Sequence, residues 1–199
     1  MMRNISWISL LFIRFWAWLG RRSSSNFSTV SIASSSSNDS VDSSIKNQNY
    51  RYDVFISFRG PDTRNTFVDH LYAHLLRKGI FVFKDDIKLP KGESISAQLL
   101  QAIQDSRLSI IVFSENYASS TWCLDELAAI ADCKQRQSNQ TVIPVFYDVD
   151  PSHVRHQNGA YEDAFVSYRS RFREDPDKVD RWARAMTDLA NSAGWDVMN

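Results

Sequence analysis

Two cysteines and six glycines are few for 199 residues, and the shortage excludes a good deal. Cys123 and Cys133 stand ten residues apart within one helical pattern, which is about 15 Å along a helix axis. A disulfide does not reach that far. With no Cys cluster to support a metal site, the pair reads as reduced core residues. The glycines form no G-x-G-x-x-G, no G-x-x-x-x-G-K-[ST] and no G-x-S-x-G. A dinucleotide cradle, a P-loop switch and a nucleophile elbow are therefore all missing. No short fixed period points to a solenoid. The net charge is zero, so nothing in the overall balance favours nucleic acid as a partner.

Long apolar runs are scarce too. Residues 5–19, ISWISLLFIRFWAWL, form a run that Arg14 interrupts, short of the roughly 20 residues a membrane span needs. Residues 1–22 are expected to be a hydrophobic targeting or anchor segment. A short anchor could tilt or thin the bilayer, with Arg14 snorkelling. A transit peptide fits as well, because four Arg and no acid precede Asp39 and Ser is abundant. The expected location is cytoplasmic, with membrane association through residues 5–19, and the chloroplast is the alternative. Residues 23–49 are rich in Ser, Asn and Asp, cannot bury a core, and read as a disordered linker. Residues 1–46 carry a net +3, leaving −3 for the remainder.

From residue 50 the pattern becomes regular. YDVFISF (52–58), IFVFKDD (80–86), LSIIVFS (108–114) and TVIPVFYDVD (141–150) are short runs, apolar on both faces. That suits strands buried in a parallel sheet. Helical patterns lie between them. NTFVDHLYAHLLRKG places Phe67, Leu71 and Leu75 on one stripe and stops at Gly79. SISAQLLQAIQDSR, SSTWCLDELAAIADCKQRQ, GAYEDAFVSYRSRF and DKVDRWARAMTDLA continue the alternation. Strand and helix in turn predict an α/β domain over residues 50–197, an open parallel sheet of four to five strands with helices on both faces. The segments after the strands, RGPDTR, DDIKLPKGES, ENYASSTW and DPSHVRHQNG, read as loops gathered on one edge, where such sheets bind ligands.

The candidate residues each carry an ordinary reading beside a functional one. His70 and His74 share a helix face, but no Glu or Cys completes a metal shell. His153 and His156 flank Arg155 in a Pro-led segment and read as surface. The acidic pair Asp85-Asp86 precedes LPKGE, a protruding interaction loop. Arg59 and Arg64 flank a loop that could hold phosphate by its side chains and the following helix start. Ser119, Ser120 or Thr121 can cap the next helix. Trp122 and Glu126 then fall one turn apart, away from the Leu124/Ala128/Ala131 stripe. They are either plain helix surface near a positive helix end or the lining of a pocket. A response-regulator reading is weak, because no strand ends in a phosphoacceptor Asp with a matching Lys.

Five stretches in order change the weighting: YDVFISFRGPDTR, FKDD with LPKGE, SENYASSTWCLDEL, IPVFYDVDPSHVRHQNGAY and the closing RWARAM…GW. Over about residues 50–197 the chain resembles a plant Toll/interleukin-1 receptor (TIR) domain of disease-resistance proteins, in a TIR-only or truncated form. The resemblance implies a flavodoxin-like, three-layer fold. It implies cleavage of the nicotinamide–ribose bond of NAD⁺ or NADP⁺, as substrate and with no further cofactor, to give ADP-ribose-type signals on self-association. Glu126 falls on the family's catalytic glutamate, Trp122 on the aromatic wall, and Ser120 on a residue beside them. Phe58, Arg59, Gly60 and Arg64 match the nucleotide-facing first loop. Residues 85–93, with Asp86 and Pro90, match a loop that helps close a neighbour's site. Asp69 and His70 replace a Ser-His pair at a self-association surface, where a carboxylate could repel or re-pair across a symmetric contact, and Gly159 matches a second contact. The alternative reading is a non-catalytic adaptor that docks other TIR domains.

A fluorescent fusion separates the readings of the first segment. Deleting residues 1–22 is expected to abolish a membrane signal if they anchor the chain. Import into plastids with a shortened mature form is the opposite result, and it would mark a transit peptide.

Overall fold

The computed structural model describes residues 50–84, 96–136 and 140–198. The segments 1–22 and 23–49, and the 85–93 loop with Asp86 and Pro90, lie outside the described residues. The chain divides into two units, residues 1–49 and 50–199, and all the described residues belong to the second. Among the described residues no helix is long and apolar enough to cross a membrane; the run at 5–19 is not among them.

Five strands form one sheet: Tyr52–Phe58 (β1), Val82–Lys84 (β2), Ser106–Phe113 (β3), Thr141–Tyr147 (β4) and Trp195–Val197 (β5). Their order is β2-β1-β3-β4-β5, and every pair is parallel. The connections carry Gly60–Thr63 (α1), a wide turn over Arg64–Val68, Asp69–Arg77 (α2), Ala97–Gln104 (α3), Thr121–Arg136 (α4), Pro151–His156 (α5), Ala160–Arg171 (α6) and Pro176–Ala190 (α7).

The strands are apolar on both sides because both sides are covered. Phe55, Ile111, Phe113 and Phe146 point to one face, in a cluster with Leu99, Ile103, Leu124 and Trp182 from helices. On that face Phe113 stacks on Phe146 at 5.7 Å and Phe55 on Phe83 at 5.6 Å. The alternate residues Val54, Ile56, Ile110, Val112 and Val145 are also buried. Phe67, Val68, Leu71 and Leu75 are buried as well, and the Phe67 ring meets Tyr147 of that second face at 5.4 Å. Each such side chain, fully buried, contributes about 1.5–3 kcal/mol. The result is the three-layer, flavodoxin-like arrangement expected from the alternation.

Four details differ from that expectation. β2 spans only Val82–Lys84 among the described residues. The RGPDTR stretch is mostly helix: α1 starts at Gly60, directly after Arg59, with Pro61 in its first turn. DPSHVRHQNG is not all loop either. The Asp150 carboxylate accepts from the Ser152 amide at 2.7 Å and Pro151 opens α5, which Gln157 ends with φ of 50°. Finally, β5 is not legible as a strand in the sequence, being three residues long with an Asp in the middle.

The pairing of β4 with β5 depends on a close backbone approach. Pro144 lies inside β4, where a proline normally breaks the ladder because it has no N–H to donate. The ladder to β5 begins one residue later, at Val145 opposite Trp195. Gly194 sits against Pro144 just before it. A Cβ on Gly194 would come within 2.4 Å of the Pro144 carbonyl oxygen and 2.6 Å of its ring. Gly194→Ala is therefore expected to cost about 1–3 kcal/mol, as overpacking does. Thermal unfolding should show Tm lowered by roughly 3–10 °C; an unchanged Tm would refute the contact.

Candidate functional site

The sheet reverses its direction of winding between β1 and β3. In open α/β sheets the crevice outside the carboxyl ends of the two strands at such a switch point is the ligand-binding place. Phe58, Arg59 and Gly60 leave β1 there, and Ser114 through Ser120 leave β3 there.

The first wall is made at the end of β1. Phe58 is buried, and the Arg64 guanidinium lies over its ring at 5.0 Å. Arg64 also folds over Gly60, where a Cβ would meet its Nη2 at 3.0 Å, so glycine leaves room for that arginine. Arg64 opens the wide turn, in which the Asp69 amide reaches back five residues to the Arg64 carbonyl. Such turns are frequent at functional sites. Arg59 donates from Nη1 to Asp62 Oδ1 at 2.5 Å. The other oxygen of Asp62 accepts from Ser114 Oγ at 2.7 Å and from the Asn116 amide at 3.1 Å. One carboxylate thus joins the β1 loop to the β3 loop.

The second wall is the start of α4. Ser120 is the residue that caps it: its Oγ accepts from the Cys123 amide at 3.3 Å. The Cys123 thiol donates to the Phe58 carbonyl at 3.6 Å, which ties the helix to the end of β1. Tyr117, fully buried, donates to the Cys123 carbonyl at 3.1 Å and shares a 2.8 Å hydrogen bond with Ser57. Farther along the helix, Asp125 accepts from Trp182 Nε1 at 2.9 Å, with Lys178 at 3.7 Å. Asp132 pairs with Arg181 at 2.6 Å. These contacts with α7 fix how α4 is rotated about its axis.

That rotation decides where Glu126 goes. It is not plain helix surface, one of the two readings the spacing left open, because α4 is buried nearly all round. Glu126 is 2 % exposed, a depth that few glutamates reach. Its charge helps to raise the pKa of the Cys123 thiol and the Tyr117 phenol, second to burial for the thiol. Arg59 opposes that rise at the thiol and Asp62 adds to it. Trp122 is half-buried and packs against the core one turn before Glu126.

The remaining candidates lie elsewhere. His70 is exposed, and Asp69 pairs with Lys84 of β2 at 2.9 Å. The carboxylate therefore re-pairs within the chain. Gly159 is exposed, with φ of 60° at the start of α6, and a Cβ built there would meet His153 Nδ1 at 3.9 Å. A positive φ is reason enough for glycine there. Asp53 accepts from the Phe81 amide at 2.8 Å, at the opposite end of β1 from the site. Among the described residues no group of three or more His, Cys, Asp or Glu could hold a metal. Both cysteines are free and buried. Sequence reasoning gave no role to Asp62, Ser114, Tyr117 or Tyr161. Only Asp62 carried a signal, as an acid between two arginines in RGPDTR.

Comparison with known proteins agrees with this fold. The TIR domain family model matches residues 51–199. The disease resistance protein RPV1 of Vitis rotundifolia is 53% identical over 148 residues, 74% of this chain and 10% of the relative. The TMV resistance protein N of Nicotiana glutinosa is 49% identical over 152 residues, 76% of this chain and 13% of the relative. The chain thus spans about a tenth of the length of these relatives. Among solved structures, the TIR domains of the activated Roq1 resistosome directly recognizing the pathogen effector XopQ superpose with a TM-score of 0.68 at 53% identity. That match covers 73% of this chain and 87% of that one.

The buried acids behind the walls carry a pH signature. Burial raises the pKa of Cys123, Tyr117 and Tyr161 above their ordinary values, 9.0 for the thiol and 10.0 for the phenols. Each holds its proton more tightly in the folded protein than in the unfolded chain. Their contribution to stability is therefore complete below those ordinary values and declines as pH climbs through them. The urea midpoint is expected to fall steadily above about pH 9, and Cys123→Ala to flatten the first part of the fall. A midpoint constant up to about pH 11 would contradict the burial of these groups.

Proposed function

The chain belongs to the TIR domain family, and from that premise we propose that it is a plant immune-signalling enzyme that cleaves the nicotinamide–ribose bond of NAD⁺ or NADP⁺ when it self-associates. The observation that carries the proposal is the burial of the Glu126 carboxylate on the helix whose first turn is hydrogen-bonded to the end of β1.

The chemistry suits one carboxylate. The bond between the ribose C1′ and the pyridinium nitrogen breaks with its electron pair going to nitrogen, so nicotinamide leaves neutral and needs little acid help. Positive charge develops on C1′ and the ring oxygen. Glu126 stabilises that charge, as glycosidase carboxylates do. Water then bonds to C1′ and gives up a proton, leaving ADP-ribose or its phosphorylated counterpart. Trp122 offers an indole face for the flat, cationic nicotinamide ring. Ser120 stands beside them. Phe58, Arg59, Gly60 and Arg64 face the nucleotide, with the arginines suited to its phosphates.

Self-association is part of the proposal, with other copies of this chain or other TIR domains as partners. The TIR domains of Roq1, similar to this chain, belong to an activated resistosome, which supports this reading. His70, Asp69, Gly159 and the 85–93 loop are the proposed contacts. The Asp69–Lys84 pair leaves the Asp69 side chain 46% exposed, open to a neighbour.

The test is nicotinamide release from NAD⁺ by the purified, assembled chain. Glu126→Gln keeps the side-chain volume and is expected to lower kcat by at least about 100-fold with the fold intact. Turnover by Glu126→Gln at the wild-type rate would overturn the assignment and leave the non-catalytic adaptor.

A further inference from the structure

We propose that Asp62 is the positioning residue of this site, aiming the Arg59 guanidinium at the phosphates of a dinucleotide while locking the two walls of the crevice together. The inference rests on the NAD⁺ reading above and adds a residue to it.

The carboxylate is divided between two tasks. Oδ1 takes the Arg59 Nη1 donor, and Oδ2 takes Ser114 Oγ and the Asn116 amide. The Asp62 side chain is 12% exposed and that of Arg59 26%. A partly shielded pair of this kind keeps its geometry better than a surface ion pair does. Ser114 is itself held from behind, because its carbonyl accepts from the buried Tyr161 hydroxyl at 2.6 Å. The anchor for Arg59 is therefore fixed to β3 and α6, not merely to its own loop.

The consequence for binding is entropic and directional. A free arginine side chain loses rotamer freedom when it grips a phosphate. An arginine already held on one terminal nitrogen has lost much of that freedom beforehand, and its remaining donors keep a set direction. The carboxylate also opposes part of the charge that attracts phosphate. The geometry favours aim over raw attraction, and that choice can be tested by its sign.

Asp62→Asn is the informative change. The amide oxygen can still accept from Ser114 Oγ and Asn116, so the link between walls survives. The amide nitrogen is a donor and cannot hold Arg59. The full chain should fold with Tm near wild type, raise KM for NAD⁺ by about tenfold and keep kcat within about twofold. In a double-mutant cycle with Arg59→Gln, the double variant should be no worse in KM than Arg59→Gln alone, since Asp62 acts through that side chain. KM unchanged or lowered in Asp62→Asn, or effects that multiply independently, would overturn the role of Asp62 while the reaction stands. If wild type releases no nicotinamide, the reaction reading falls by itself. Asp62 is then judged by calorimetric binding of ADP-ribose. Binding about tenfold weaker in Asp62→Asn than in wild type supports the role; equal binding, or no binding by wild type, overturns it.

Discussion

The reversal of winding between β1 and β3 is the constraint on which the site depends. At the reversal the connections after Phe58 and Phe113 lead to opposite faces of the sheet, and the crevice outside the strand ends at such a point is where open α/β sheets bind ligands. A crevice is only useful if its walls hold their spacing. Here three hydrogen bonds do that: Ser114 Oγ and the Asn116 amide to Asp62, and the Cys123 thiol to the Phe58 carbonyl. The buried acid of α4, Glu126, then has no choice of environment, because the helix is packed on nearly every side and its rotation is set by Asp125 and Asp132 against α7.

Much of the architecture is legible in the residues. Strands buried on both faces must be apolar at every position, and β1, β3 and β4 largely are, which is a parallel-sheet signature that alternation cannot mimic. The elements that sequence reasoning misses are short or locally determined. β5 offers three residues and no period. α5 depends on the Asp150 cap and Pro151, a helix-start signal that also looks like a turn. The wide turn at Arg64–Val68 has no sequence rule at all. Pro144 inside β4 even argues against a central strand, and only the glycine opposite it shows how the fold accommodates it.

The site is half legible. Spacing places Trp122 and Glu126 one turn apart and offers Ser120 as a cap, and the cap is there. Spacing cannot tell an exposed flank from a buried one. That depends on what packs against the helix from α7 and β1, which are distant in sequence. The same limit hides the pairing of Asp62 with Ser114, 52 residues away, and of Tyr161 with Ser114, 47 residues away. The contact surfaces carry the opposite lesson. Gly159 and Asp69 stand out by resemblance to the family, yet each has a reason within the chain: a left-handed backbone for one and an ion pair with Lys84 for the other. A bulky replacement at Gly159 would strain the start of α6 as well as block a neighbour, so it cannot by itself identify an interface.

The central claim is that the crevice between β1 and β3 receives the nicotinamide end of a dinucleotide. The most direct measurement is the map of backbone amide chemical-shift changes on adding an NAD⁺ analogue whose N-glycosidic bond cannot be cleaved. Changes should concentrate at residues 58–64 and 114–126, with the Trp122 indole N–H among them. Shifts confined to α6 and α7, or none at saturating analogue, would contradict it.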